Sequence, residues 1–209
     1  MTLAKWYDHH IVPRVIRCAC GAPGIAALRQ KVVPLAHGRV FELGCGGGLN
    51  QPFYDPSQIT AFTGLDPSPK GLEFARAAAQ AKGWKADLRG GTGEAIPFGD
   101  AMFDTVVCTF TLCSVVDPAQ TLAELRRILV PGGTLIYAEH GAAPDADVAR
   151  WQRRIEPLWK RLAGGCHLTR PVGPNLAAAG FVLQRAGARY VPKTPRFAGW
   201  VEWGQAALA

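Results

Sequence analysis

The chain has 209 residues, 48% of them apolar and 19% charged, a balance that suits one globular domain with a sizeable core and excludes a disordered chain. No run approaches the roughly 18 apolar residues needed to span a bilayer, and "MTLAKWYDHH" lacks an apolar export signal, which points to the cytoplasm. A net charge of +7 is moderately basic: it leaves an anionic surface open as a partner but does not require one.

Leu3, Trp6, Tyr7, Ile11, Val15 and Ile16 fall near helical spacing, with Pro13 as a kink or restart. "CGAPG" breaks this segment, and "IAALRQKVV" reads as a second short helix. Residues 1–37 therefore read as an amphipathic lid over a site, as a sheet-edge packing piece, or as a helix lying on a membrane surface.

From residue 38 short apolar runs alternate with helical patterns, the signature of βαβ units and a mostly parallel sheet with helices on both faces, here taken as seven-stranded and Rossmann-like. The strands read as "RVFELG", "TAFTGLD", "KADLRGG", "FDTVVCTF" and "TLIYAEH", followed by "FVLQRA" and a last strand in the C-terminal tail. Ser68 and Pro69 start a helix that ends at Gly83. Asp117 and Pro118 start another, in which Leu122, Leu125, Ile128 and Leu129 face the sheet before "PGG" stops it. Arg150, Arg153, Arg154, Lys160 and Arg161 share one later helix, which reads first as a solvated face and second as a surface for anionic lipid or nucleic acid. No repeat or linker divides the chain, so residues 38–140 form the core and residues 141–209 the acceptor side of a single domain.

The six cysteines read as reduced thiols, because no export signal accompanies them. Cys18 and Cys20 near His9 and His10 lack zinc-ligand spacing, so no metal is assigned.

The turn "GCGGG" leaves the first strand, where glycines let a backbone approach a ligand at the carboxyl ends of the strands. Asp66 closes the second strand, 20 residues past Gly46, the offset at which a carboxylate meets a ribose with two free hydroxyls. Leu49 stands where a dinucleotide fingerprint has its last glycine, and Glu42 would repel a pyrophosphate but suits an ammonium. A ligand with a ribose, an ammonium and a carboxylate is S-adenosyl-L-methionine, whose product after methyl transfer is S-adenosyl-L-homocysteine.

"VFELGCGGG", "GLDPS", "GEAIPF", "FDTVVC" and "LRRILVPGGTLIYAEH", in order, resemble the motif series of class I S-adenosylmethionine-dependent methyltransferases of the quinone-methylase-like type. "VVCTFTLCSV", "AEH" and "GCHLTR" are similar to the narrower methyltransferase-like family that includes microsomal alkyl-thiol methyltransferases. That family carries a membrane-associating N-terminal segment, which reads as missing or shortened here. By motif position the resemblance implies that Gly44 and Gly46, with Cys45 between them, approach the methionine part of the cofactor and that Glu42 lies beneath it. Asp66 takes the ribose hydroxyls, Pro67 lies against the adenine, and Thr92, Gly93 and Glu94 read the adenine amino group. Thr109 and Leu112 wall the sulfonium, and Asn50 meets the carboxylate or simply starts a helix.

The resemblance makes the acceptor a small or hydrophobic thiol, with His140 as the first candidate for the base that forms the thiolate and Tyr7, Asp8 and His167 as weaker ones. The runner-up acceptor is lipid-like, a phosphatidylethanolamine amine or a quinone carbon, in peripheral contact with a membrane. Arsenic methylation through Cys45, Cys108, Cys113 and Cys166, a cofactor-binding module without turnover, and nucleic-acid methylation rank below these. No nucleic acid is expected as a partner, and the chain is taken as a monomer or a homodimer.

Overall fold

The computed structural model describes residues 11–208, so Tyr7, Asp8, His9 and His10 and the expectations placed on them lie outside the described residues. Helices α1 (Val12–Cys20) and α2 (Pro23–Val32) come first, each with a proline in its first turn, where a missing N–H costs nothing. Pro13 thus starts α1 and does not kink it.

The core follows as β1 (Gly38–Leu43), β2 (Ile59–Asp66), α3 (Pro69–Lys82), β3 (Ala86–Gly90), β4 (Phe103–Thr109), α4 (Pro118–Ile128) and β5 (Leu129–His140). After it come α5 (Ala146–Leu162), α6 (Val172–Ala178), β6 (Phe181–Tyr190), the single turn α7 (Arg196–Gly199) and β7 (Trp200–Leu208). The seven strands lie in the order β3-β2-β1-β4-β5-β7-β6. All pairs are parallel except the two made by β7, which runs antiparallel between β5 and β6.

Strand alternation explains the two-sided cover. Phe41, Val106, Leu135 and Tyr137 pack with Leu122, Leu125 and Ile128 of α4 and Leu176 of α6 on one face. Val40, Val107, Ile136 and Ala138 pack with Val32 of α2, Tyr54 and Phe62 on the other. Both α3 and α4 open with caps: the Ser68 hydroxyl accepts from the Gly71 N–H, and the Asp117 carboxylate accepts from the N–H groups of Ala119 and Gln120.

One boundary differs from the sequence reading. Leu129 ends no helix; it begins β5, which carries "PGG" within it and leaves Gly132 at φ 78°. Phe103 pairs with Leu129 and Thr105 with Thr134, so the intervening residues bulge out of register. No described helix is long and apolar enough to cross a membrane.

Candidate functional site

The carboxyl ends of β1, β2 and β4 meet at the point where strand order reverses, and a cavity of about 440 Å³ opens there. Its walls come from the glycine turn after β1, the end of β2, residues 92–94, the segment after β4, and α1, which contributes Val12, Pro13, Ile16, Arg17 and Cys20.

The turn exists because two of its residues need a left-handed backbone: Gly44 has φ 74° and Gly48 φ 62°. Space is short as well. A Cβ on Gly44 would stand 2.0 Å from the Thr111 Oγ1, and one on Gly46 would stand 2.5 Å from the Asp66 carboxylate. The Gly46 N–H donates to the Asp66 Oδ2 at 2.9 Å and the Ser68 N–H to its Oδ1 at 2.8 Å. Burial pushes the Asp66 carboxyl up, and these two backbone donors hold it back. One lone pair on each oxygen stays free for a ligand.

Beneath the turn lies a buried polar chain. Asn50 Nδ2 donates to Glu42 Oε1 and to Thr109 Oγ1, both at 3.0 Å, while Tyr54 OH donates to Glu42 Oε2 at 2.8 Å. Arg29 Nε donates to Asn50 Oδ1 at 2.9 Å, and its guanidinium lies over the Phe110 ring at 4.9 Å. Burial pushes the Glu42 carboxyl up to about 7, against the opposing pull of Tyr54, Asn50 and Arg29. Burial also lowers the Arg29 pKa from its ordinary value. The chain therefore offers a carboxylate and a guanidinium, bridged by one asparagine, at the floor of the same cavity. Phe110 holds its place beside them at φ 54°, a left-handed conformation that is costly for a bulky residue.

Of the residues singled out from the sequence, Glu42, Gly44, Gly46, Asn50, Asp66, Pro67, Thr92, Gly93, Glu94 and Thr109 line this cavity. Asn50 does no helix capping, since its side chain is spent on Glu42, Thr109 and Arg29. One Glu94 oxygen already accepts from the N–H groups of Val116 and Asp117, at 2.7 and 3.1 Å.

Four expectations are corrected. Cys45 turns away from the cavity into a cluster with Leu72 and Ala75, because the left-handed Gly44 points the next side chain under the turn. Leu112 is part of the main core and not of the cavity wall. His140 is buried off the cavity, with Nδ1 3.5 Å from the Cys166 Sγ, so its ring meets a thiol of this chain. His167 is also off the cavity, with Nδ1 3.1 Å from Glu156 Oε1; burial and Arg170 lower its pKa against the pull of Glu156. Arg29, Tyr54 and Thr111 were missed. The sign for Arg29 in the sequence is a cation set among the apolar residues of "IAALRQKVV", which also holds Lys31.

Residues 41–137 match the methyltransferase domain family. The chain is 40% identical over 152 residues to the thiol S-methyltransferase TMT1B of Homo sapiens, covering 70% of this chain and 62% of that one. It is 37% identical over 169 residues to the Mus musculus thiol S-methyltransferase TMT1B, covering 77% of this chain and 68% of that one. The match thus spans about three fifths of the length of the first curated relatives. Among solved structures, an S-adenosylmethionine-dependent methyltransferase of Thermotoga maritima shares the fold with a TM-score of 0.68 at 20% identity, covering 99% of each chain.

Proposed function

The chain belongs to the S-adenosylmethionine-dependent methyltransferases, in a family that also holds the thiol S-methyltransferases, and from that premise we propose that its acceptor is a small or hydrophobic thiol. S-adenosylmethionine, the cofactor of this family, supplies a methyl group already activated on a sulfonium.

The cavity fits such a ligand by its donor set: a guanidinium and a carboxylate at one end, and a second carboxylate with free lone pairs beside a glycine cradle at the other. In this reading Glu42 attracts the ammonium, Arg29, oriented by Asn50, holds the carboxylate, and the backbone at Gly44 and Gly46 runs along the methionine part. Asp66 takes the ribose hydroxyls, Pro67 lies against the adenine, and Glu94 with the backbone at Thr92 and Gly93 reads the adenine amino group. Thr109, tied to Asn50, stiffens the floor near the sulfonium. Helix α1 covers the site and keeps water out, the role of a lid.

The thiol reading rests on the kinship, and the make-up of the cavity is in keeping with it. Among the described residues no histidine lines the cavity, and its carboxylates Glu42, Asp66 and Glu94 each already accept from two donors. A thiol attacks as its thiolate, formed when its proton is lost to water, so its methylation asks for no base in the cavity. The protein then needs only to align the sulfur against an apolar wall of Val12, Ile16, Phe110 and Val115.

The test is S-adenosylhomocysteine production with methanethiol, a longer alkyl thiol, hydrogen sulfide, phosphatidylethanolamine vesicles and a quinol. Turnover on thiols, rising with pH up to the pKa of each thiol, is the expected result. Turnover on vesicles or quinol alone overturns the thiol reading, and cofactor binding without turnover on any of them makes the chain a binding module.

A further inference from the structure

Three side chains that the cofactor site does not use converge behind its wall. Cys113 comes from the segment after β4, His140 from the end of β5, and Cys166 from the turn after α5. Their ligand atoms all lie within 4.8 Å of one another, and both cysteines are free thiols. Cys113 and His140 are buried, and Cys166 is partly so.

The cluster is held from several sides. The His167 N–H donates to the Cys113 carbonyl at 2.7 Å, which ties the turn that carries Cys166 to the segment that carries Cys113. Arg170 Nη1 donates to the carbonyls of Leu112 and Val115, both at 2.7 Å, on either side of Cys113. The Thr111 N–H donates to the buried Glu139 carboxylate, which fixes the same segment to the strand that carries His140.

We propose that Cys113, His140 and Cys166 form a binding site for a single thiophilic cation of the zinc class. Zinc–sulfur bonds of about 2.3 Å and zinc–nitrogen bonds of about 2.0 Å at tetrahedral angles place sulfur and nitrogen about 3.5 Å apart and two sulfurs about 3.8 Å apart. The Cys166 Sγ to His140 Nδ1 separation is 3.5 Å. The pair therefore needs almost no movement to exchange a shared proton for a metal ion. Two thiolates and a neutral imidazole balance a dication, and the absence of a carboxylate from the set disfavours magnesium and calcium. Three protein ligands leave a fourth position for water or an exogenous thiolate. Linear spacing hid the set, because each ligand comes from a different element.

The test is a cobalt(II) titration of the reduced, metal-stripped chain. A thiolate-to-cobalt charge-transfer band with tetrahedral visible bands, saturating at one equivalent and displaced by zinc, is the expected result. C113S and C166S should each weaken binding by more than about 100-fold, beyond the loss typical of outer-shell changes, while C18S, at an exposed thiol, should keep the spectrum. Should a variant fail to fold, thiol alkylation of the unmodified chain decides: zinc should protect Cys113 and Cys166 together. No charge-transfer band, a spectrum unchanged in C166S, or protection confined to other cysteines would overturn the site.

Discussion

Glu42→Gln should stabilise the ligand-free protein at alkaline pH and weaken its hold on the cofactor. Glu42 is 2% exposed, and burial pushes its carboxyl from 4.5 up to about 7. A rise of roughly 2.5 pH units at 1.36 kcal/mol per unit amounts to about 3 kcal/mol. Below about pH 4.5 the folded and unfolded chains both carry the proton, and Glu42 costs nothing. As pH rises the unfolded chain ionises first, so the folded state binds more protons and stability falls until about pH 7. Glutamine imitates the protonated form: its carbonyl accepts from Asn50, and its amide donates to the Tyr54 hydroxyl, whose own proton rotates away. Urea unfolding across pH 4.5 to 8 should find the two proteins equal at the acid end and the variant about 3 kcal/mol more stable at the alkaline end. Some pH slope should persist in the variant, because burial pushes Glu139 up to about 7 as well. Calorimetry at pH 8 should show cofactor affinity lower by about 10- to 100-fold, the worth of a lost bond to a charged group. A stability gap that does not change with pH, or a variant less stable at pH 8, would refute the reasoning and leave Glu42 an ordinary ionised carboxylate held by Arg29.

Arg29→Met should raise the cofactor Kd by more than about 10-fold, since it removes the cavity's buried cation and leaves Asn50 short of a donor; calorimetry checks it, and Lys31→Ala on the same helix, whose ammonium lies over the Trp203 ring, serves as the control. Gly44→Ala should cost more than about 2 kcal/mol, combining the left-handed penalty with displacement of the Thr111 hydroxyl from the Leu43 and Thr109 carbonyls. A thermal scan should show Tm lower by about 4–8 °C, and an unchanged Tm would mean that the turn can rebuild itself without its left-handed residue.

Where local rules act, residue order alone was enough. The near-continuous apolar run "FDTVVCTF" can only be a strand covered on both faces, and "GCGGG" names a left-handed turn because few other residues tolerate φ near 70°. Asp66 was legible for the same reason, as a strand end at a set offset from that turn. Leu129 was not, since an apolar residue between a helix and a strand satisfies either period, and its pairing with Phe103 settled the matter. Motif position also could not say which way a side chain points, so Cys45 and Leu112 went into the core from inside motifs that border the cavity. The charged floor and the thiol–imidazole cluster belong to tertiary structure altogether. Arg29, Asn50, Glu42 and Tyr54 meet from α2, the segments around β1 and the loop before β2, and Cys113, His140 and Cys166 from three separate segments. Contacts of that range follow from strand order and helix packing, and no spacing within a single element encodes them.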